Sequence, residues 1–159
     1  MTIKKKYLIL ISVVVAVVFL DLLTKWIFSD IKFKEIIPYL INFETNNGNY
    51  GAAFGIFNGK KWFLITISTI FVVAMIIVDV CLKIKSKTYT IGFAFMLGGA
   101  IGNLFDRIGL GYVRDFIQFD FWPTFPTFNL ADSFLCVGVG LICVYLLFFS
   151  GKEKSKDKK

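Results

Sequence analysis

The chain of 159 residues contains no histidine, and that absence excludes a good deal of chemistry. A Ser-His-Asp triad and a Cys-His pair both need an imidazole to carry a proton near neutral pH, so neither is available. Zinc loses its usual nitrogen ligand, and three cysteines with no C-x-x-C pair offer little in its place. Cys81, Cys136 and Cys143 all fall within or at the ends of apolar runs rather than in polar loops, so no disulfide framework is expected. Cys136 and Cys143 share a helix face with Gly140, a pattern that predicts close packing there. Proline is limited to Pro38, Pro123 and Pro126, none inside a long apolar run. No internal repeat is present.

Apolar residues fill the space that polar ones leave. Hydrophobic residues make up 57% of the chain and aromatic residues 18%, whereas a soluble domain is about 45–50% apolar. The excess is concentrated in four stretches. Tyr7–Leu20 is uncharged and continues past Asp21 and Lys25; Trp62–Val78, Thr88–Phe105 and Ser133–Gly151 are uncharged throughout. A helix crossing the hydrocarbon needs ~20 mostly apolar residues. The expectation is therefore an all-α membrane protein, a four-transmembrane-helix bundle forming one domain over residues 1–159. The spans fall at about 6–28, 62–82, 88–107 and 131–150, with external regions at about 29–61 and 108–130. The first run has the basic start of a signal peptide, but it lacks an A-x-A-like cleavage site and runs directly into Asp21 and Lys25. It reads as a retained span. In the external regions, alternation over Phe33–Leu40 and the Asn-Gly turn after Thr45 predict short strands, and Tyr112–Phe121 is a further candidate. The lysine-rich tail 151–159 reads as disordered.

The net charge of +7 is a topology signal rather than a nucleic-acid footprint. With four spans, both ends of the chain and the 83–87 loop lie on one side. That side holds 11 of the 18 basic residues and three of the 11 acidic ones, a net +8 against −1 on the other. The positive-inside bias puts both termini in the cytoplasm and the longer loops outside. No basic face interleaved with exposed aromatics remains for nucleic acid, and none is expected as a partner.

Few residues remain that could do chemistry. Asp115 and Asp132 both sit in polar contexts beside long apolar runs, where an ionised carboxylate is costly. One reading is that they cap helices. The other is that they act together: two close carboxyl groups share a proton, one serving as general base on water and the other as general acid. Asn103, Asp106 and Arg107 fall on one helix face at the outer end of the third span. Asp106 reads as structural, and Arg107 as a donor to a substrate carbonyl or lipid phosphate. Asp21 and Lys25, four apart with the acid first, form a favourable intrahelical pair. No serine near the outer surface has a lysine at a convincing spacing, and the intramembrane protease motif G-x-G-D fails because Tyr112 follows Gly109-Leu110-Gly111. Gly98 and Gly102 form a G-x-x-x-G seam for close helix approach.

Five segments in order carry a resemblance. They are Asp21-x-x-Thr24-Lys25, Asn49-x-Gly51-Ala52-Ala53-Phe54-Gly55, Gly102-Asn103-x-x-Asp106-Arg107, Val113-x-Asp115-Phe116 and Phe128-Asn129-x-Ala131-Asp132-Ser133. Together they resemble the bacterial lipoprotein signal peptidase family, signal peptidase II. The resemblance implies an aspartyl endopeptidase of the bacterial cytoplasmic membrane that removes signal peptides from diacylglyceryl-modified prolipoproteins, cutting before the lipidated cysteine. It maps the catalytic pair onto Asp115 and Asp132, and the supporting or substrate-binding positions onto Asp21, Lys25, Asn49, Asn103, Asp106, Arg107 and Asn129. It further implies a small extracytoplasmic β-cradle, inhibition by globomycin-type cyclic peptides, contact with membrane lipids, and no cofactor. The family usually has a basic residue before the motif asparagine, where this chain has Gly48. Within the 46–49 run, Asn46 and Asn47 stand as alternatives to Asn49. Two rivals make weaker expectations: a proton or ion pathway calls for charges at mid-span, and a passive scaffold gives no reason for the two aspartates.

Overall fold

The computed structural model describes residues 1–29, 34–43, 48–52 and 56–150. Four long helices form in chain order, α1 (Ile3–Ile27), α2 (Lys61–Leu82), α3 (Lys87–Gly109) and α4 (Leu130–Phe148), each long and apolar enough to cross a membrane. Their ends lie within a few residues of those expected from sequence. The tail 151–159 and Phe33 lie outside the described residues.

α3 is the central helix. Just over half of its apolar window (56%) is buried inside the protein, against 17% in each of the others, whose remaining surface faces lipid. Glycines allow this. A side chain at Gly98 would run into Val17 of α1, one at Gly102 into the Asp21 carboxylate, and one at Gly99 into the Ala131 backbone of α4. Without those side chains, α1 and α4 approach α3 closely enough for polar groups on all three to meet. The inner half is an apolar core of Leu10, Val72, Met75, Tyr89, Phe93, Ala94, Leu97 and Tyr145.

The cysteine stripe on α4 does not pack as expected. Cys136 and Cys143 are exposed, and nothing lies near Gly140. The seam runs instead through Ala131, Gly138 and Tyr145, with Gly138 against Gly92 and Met96 of α3. The 136–140–143 stripe faces away from α3, toward lipid.

Outside the bundle, β1 (Lys34–Ile37), β2 (Ile41–Phe43) and β3 (Ile117–Phe119) form an antiparallel sheet in the order β1-β2-β3, with a bulge between Glu35 and Ile37. The strand expected over Tyr112–Phe121 is shorter than its pattern suggested. Gly111 turns at φ +88, and Val113 makes only a single bridge, to Asn49. Phe116 then stacks on Phe28 at 5.0 Å and meets Phe43 edge-on at 5.6 Å, which fastens the sheet to the outer end of α1.

Candidate active site

The C-terminal ends of α1 and α3 and the N-terminal end of α4 converge on a set of polar side chains that the lipid-facing surfaces lack. Asp115 is buried, and its two oxygens accept from different amides: Oδ1 from Asn129 Nδ2 at 2.7 Å and Oδ2 from Asn49 Nδ2 at 3.0 Å. Asp132 is half-buried and also accepts twice, Oδ1 from Asn103 Nδ2 at 2.8 Å and Oδ2 from the Asn129 backbone N–H at 3.2 Å. Asn129 Nδ2 also donates to Asn103 Oδ1 at 3.0 Å, so the two carboxylates are linked through a pair of asparagines.

The direction of each amide follows from its neighbours. An asparagine side chain has one accepting and one donating end. At each of these three, a group that can only donate takes the accepting end. Asn49 Oδ1 accepts from the Gly51 N–H at 3.0 Å, Asn129 Oδ1 from the Asp132 N–H at 3.0 Å, and Asn103 Oδ1 from the Lys25 ammonium at 3.0 Å. All three Nδ2 groups are thereby turned toward a carboxylate. Asn49 fills the loop position, while Asn46 and Asn47 lie outside the described residues. Gly48, where the family usually has a basic residue, stands at φ +87 with the Tyr112 ring against the place a side chain would take.

A second layer holds the first. The Lys25 ammonium pairs with Asp21 at 2.8 Å and Asp106 at 3.5 Å, all three side chains being fully buried or nearly so. Asp21 Oδ1 accepts the Ala131 N–H at 3.0 Å, capping the first turn of α4 from another helix. Asp106 accepts from the Arg114 backbone N–H at 3.0 Å and from its guanidinium Nη2 at 2.7 Å, which fixes the residue preceding Asp115. Asp106 thus lies between the cations of Lys25 and Arg114. Of the two readings of Asp132, the structure shows helix capping: Asn129 and Asp132 form a capping box at the start of α4.

Arg107 is more loosely held. Its Nη2 donates to the Gly51 carbonyl at 3.5 Å, and its buried Nε has no hydrogen-bond partner among the described residues. Arg114 was not singled out from the sequence. The one available signal was composition: Arg107 and Arg114 are the chain's two arginines, both next to the aspartates at issue.

Burial and, next, the charge of Asp132 raise the Asp115 pKa from 3.8 to about 6, against the opposing pull of the Asn49 and Asn129 hydrogen bonds. Asp115 therefore holds a proton well above the ordinary carboxylate range. Among the described residues, no group of three or more acidic or cysteine side chains could hold a metal ion. What the site offers is a buried carboxyl with a raised pKa, a more exposed carboxyl, and a guanidinium with an unused donor among the described residues.

Known proteins share this arrangement of elements. Two solved bacterial membrane enzymes superpose with TM-scores of 0.79 and 0.77, each at 33% identity; the first match covers 99% of this chain and 93% of the other, the second 93% and 96%. The lipoprotein signal peptidase of Geobacillus kaustophilus is 40% identical over 89% of this chain and 95% of its own length. That of Lactobacillus johnsonii is 39% identical over 94% and 97%. The family model for signal peptidase (SPase) II matches residues 13–148, from the middle of α1 to the end of α4, and the chain belongs to that family.

Proposed function

We propose that this chain is a membrane aspartyl endopeptidase that removes the signal peptide from diacylglyceryl-modified prolipoproteins, with Asp115 and Asp132 as its catalytic pair. Membership of the signal peptidase II family supports the coarser part, a protease that processes prolipoproteins. The observation that carries the finer part is the asparagine-linked pair: two carboxylates, each oriented by two donors, at the end of the bundle where the loops begin.

The chemistry follows from the two environments. Asp115, the more buried, carries the shared proton, and Asp132 acts as the base that takes a proton from an attacking water. Asp115 donates to the scissile carbonyl oxygen as the tetrahedral intermediate forms; as the C–N bond breaks, the proton on Asp132 passes to the leaving amine and Asp115 takes a proton back from a hydroxyl of the intermediate. The two apparent pKa values belong to the pair as a unit. Arg107, with a free Nε, holds a carbonyl of the extended peptide. Asn49, Asn103 and Asn129 orient the pair, while Asp21, Lys25 and Asp106 support it. The diacylglyceryl tail stays in lipid, so the bond before the modified cysteine is cut at the membrane surface. The charge asymmetry supports that surface lying outside the cytoplasm, with both ends of the chain inside. Globomycin-type peptides compete for the same position.

The test uses purified protein in lipid with a diacylglyceryl-modified prolipoprotein. Asp115→Asn and Asp132→Asn should each abolish cleavage while the protein still inserts and melts cooperatively. Full activity in either variant would remove that residue from the mechanism.

A further inference from the structure

At the opposite end of the molecule, α1 and α2 do not pack on each other; both lean on α3. Between them is an apolar groove of about 280 Å³. Its walls are Leu10, Ile11 and Val14 on α1 and Ile76 and Val80 on α2, and its floor is Phe93 and Leu97 on α3. Its basic end is closed by one buried ion pair, Lys6 to Asp79 at 2.7 Å, in which the sole acid of the groove lining is neutralised. Beyond that pair the surface carries exposed Lys4, Lys5, Lys83, Lys85 and Lys87, with no acidic side chain among the described residues there. The groove is thus slender, greasy along its length and positive at its mouth.

We propose that this groove binds one anionic phospholipid of the leaflet on the lysine-rich side. One acyl chain lies between α1 and α2 over Phe93 and Leu97, and the phosphate sits among the Lys4–Lys5 and Lys83–Lys87 ammonium groups. Charge complementarity selects the occupant. A substrate signal peptide has a basic leading end and would meet five lysines, whereas an anionic headgroup is attracted to them. Lys6 is not available to the lipid, since its ammonium is committed to Asp79. The bound chain would fill the gap that leaves α2 the least supported of the four helices. The proposal does not depend on the peptidase reading, because none of these residues touches the aspartate pair.

The experiment is photo-crosslinking of the full chain in phosphatidylcholine vesicles, with a small fraction of either phosphatidylglycerol or phosphatidylcholine carrying a diazirine on its acyl chain. Adducts are then mapped by peptide mass spectrometry. Phosphatidylglycerol should label the groove faces of residues 7–15, 76–80 and 93–97 several-fold more than phosphatidylcholine does. Unlabelled phosphatidylglycerol should compete that labelling away. Ile11→Trp and Val80→Trp, which fill the groove from its exposed walls, should abolish it with the helical melting curve unchanged. Combined Lys4→Gln, Lys5→Gln, Lys83→Gln and Lys85→Gln should erase the preference for phosphatidylglycerol and leave residual labelling by both lipids. Equal labelling by the two lipids in the parent chain, or labels spread evenly over the outer faces of α2 and α4, would overturn the site. So would suppression of labelling by a diacylglyceryl-modified prolipoprotein but not by phosphatidylglycerol. Competition in the unaltered chain decides the matter even where a tryptophan variant fails to fold.

Discussion

Asn49 shows how much a single side chain contributes to the outer site. It spends its carbonyl on Gly51 and its amide on Asp115, and that second bond stabilises the ionised form of a carboxyl that burial has pushed up to about 6. Asn49→Ala removes a donor to the charged form, so the Asp115 pKa rises further. In the proposed mechanism the pair needs its single proton, and kcat/KM falls as pH climbs through the pKa of the group that holds it. The alkaline limb of the profile should therefore move upward by up to about one pH unit, since a hydrogen bond to a charged group is worth about 1.5–3 kcal/mol and water replaces part of it. A limb that stays in place, or moves to lower pH, would assign the proton elsewhere. Lys25 makes the complementary case. Lys25→Met leaves Asp21 buried without its cation and Asp106 with Arg114 alone, at a cost of about 3–5 kcal/mol, and takes from the Asn103 carbonyl one of the two donors that keep its amide facing Asp132. Thermal melting should fall sharply and cleavage be lost together. The sequence showed Asp115, Asp132 and the Asp21–Lys25 spacing directly, because each is visible within a few residues. It did not show that Lys25 orients Asn103, since those positions are 78 residues apart. Nor did it show that Arg114 clasps Asp106 across the turn, because no helical or strand period links residues on either side of a bend.

At the level of elements, glycine position decides which helices meet. Gly99 sits directly against the Ala131 backbone, so even one methyl group has to push the start of α4 away from α3. That is the turn carrying Asn129 and Asp132, and Asn103 lies one turn along α3. Gly99→Ala should cost about 1–3 kcal/mol from overpacking and reduce cleavage well beyond the fraction of protein that unfolds. Gly140→Ala is the control. It has open space around it and faces lipid, so the same substitution should be silent or slightly stabilising, by up to about 1 kcal/mol, in thermal melts. Equal effects from the two changes would remove the close-approach argument. Here the sequence was only half informative. The Gly98–Gly102 seam is an interface, as its spacing predicts, whereas the Cys136–Gly140–Cys143 stripe is not one. Small residues permit a close contact, but in a membrane both faces of a helix are apolar, so hydrophobic pattern cannot say which face meets protein and which meets lipid.

The whole molecule separates its polar groups into two buried clusters at opposite ends, and the charge outside them sets its orientation. Lys6 and Asp79 neutralise each other at one end, and at the other Asp21, Lys25 and Asp106 are joined by Arg114. Pairs of this kind add little to the charge that a translocation machinery has to retain, so the unpaired lysines beside the helix ends carry the bias. Lys4, Lys5, Lys83, Lys85 and Lys87 are exposed and lie at the end away from the aspartate pair. A reporter fused after Lys159 should therefore read cytoplasmic, as should one inserted between Lys83 and Lys87, whereas one inserted between Trp122 and Thr127 should read external. Neutralising the Lys83–Lys87 loop alone should weaken this orientation without inverting it, because the lysines flanking α1 point the same way. An external reading at Lys159 would place the aspartate pair on the cytoplasmic face, where a peptide exported through the membrane no longer presents its lipidated junction. The site would then need a different substrate, however well its carboxylates are held.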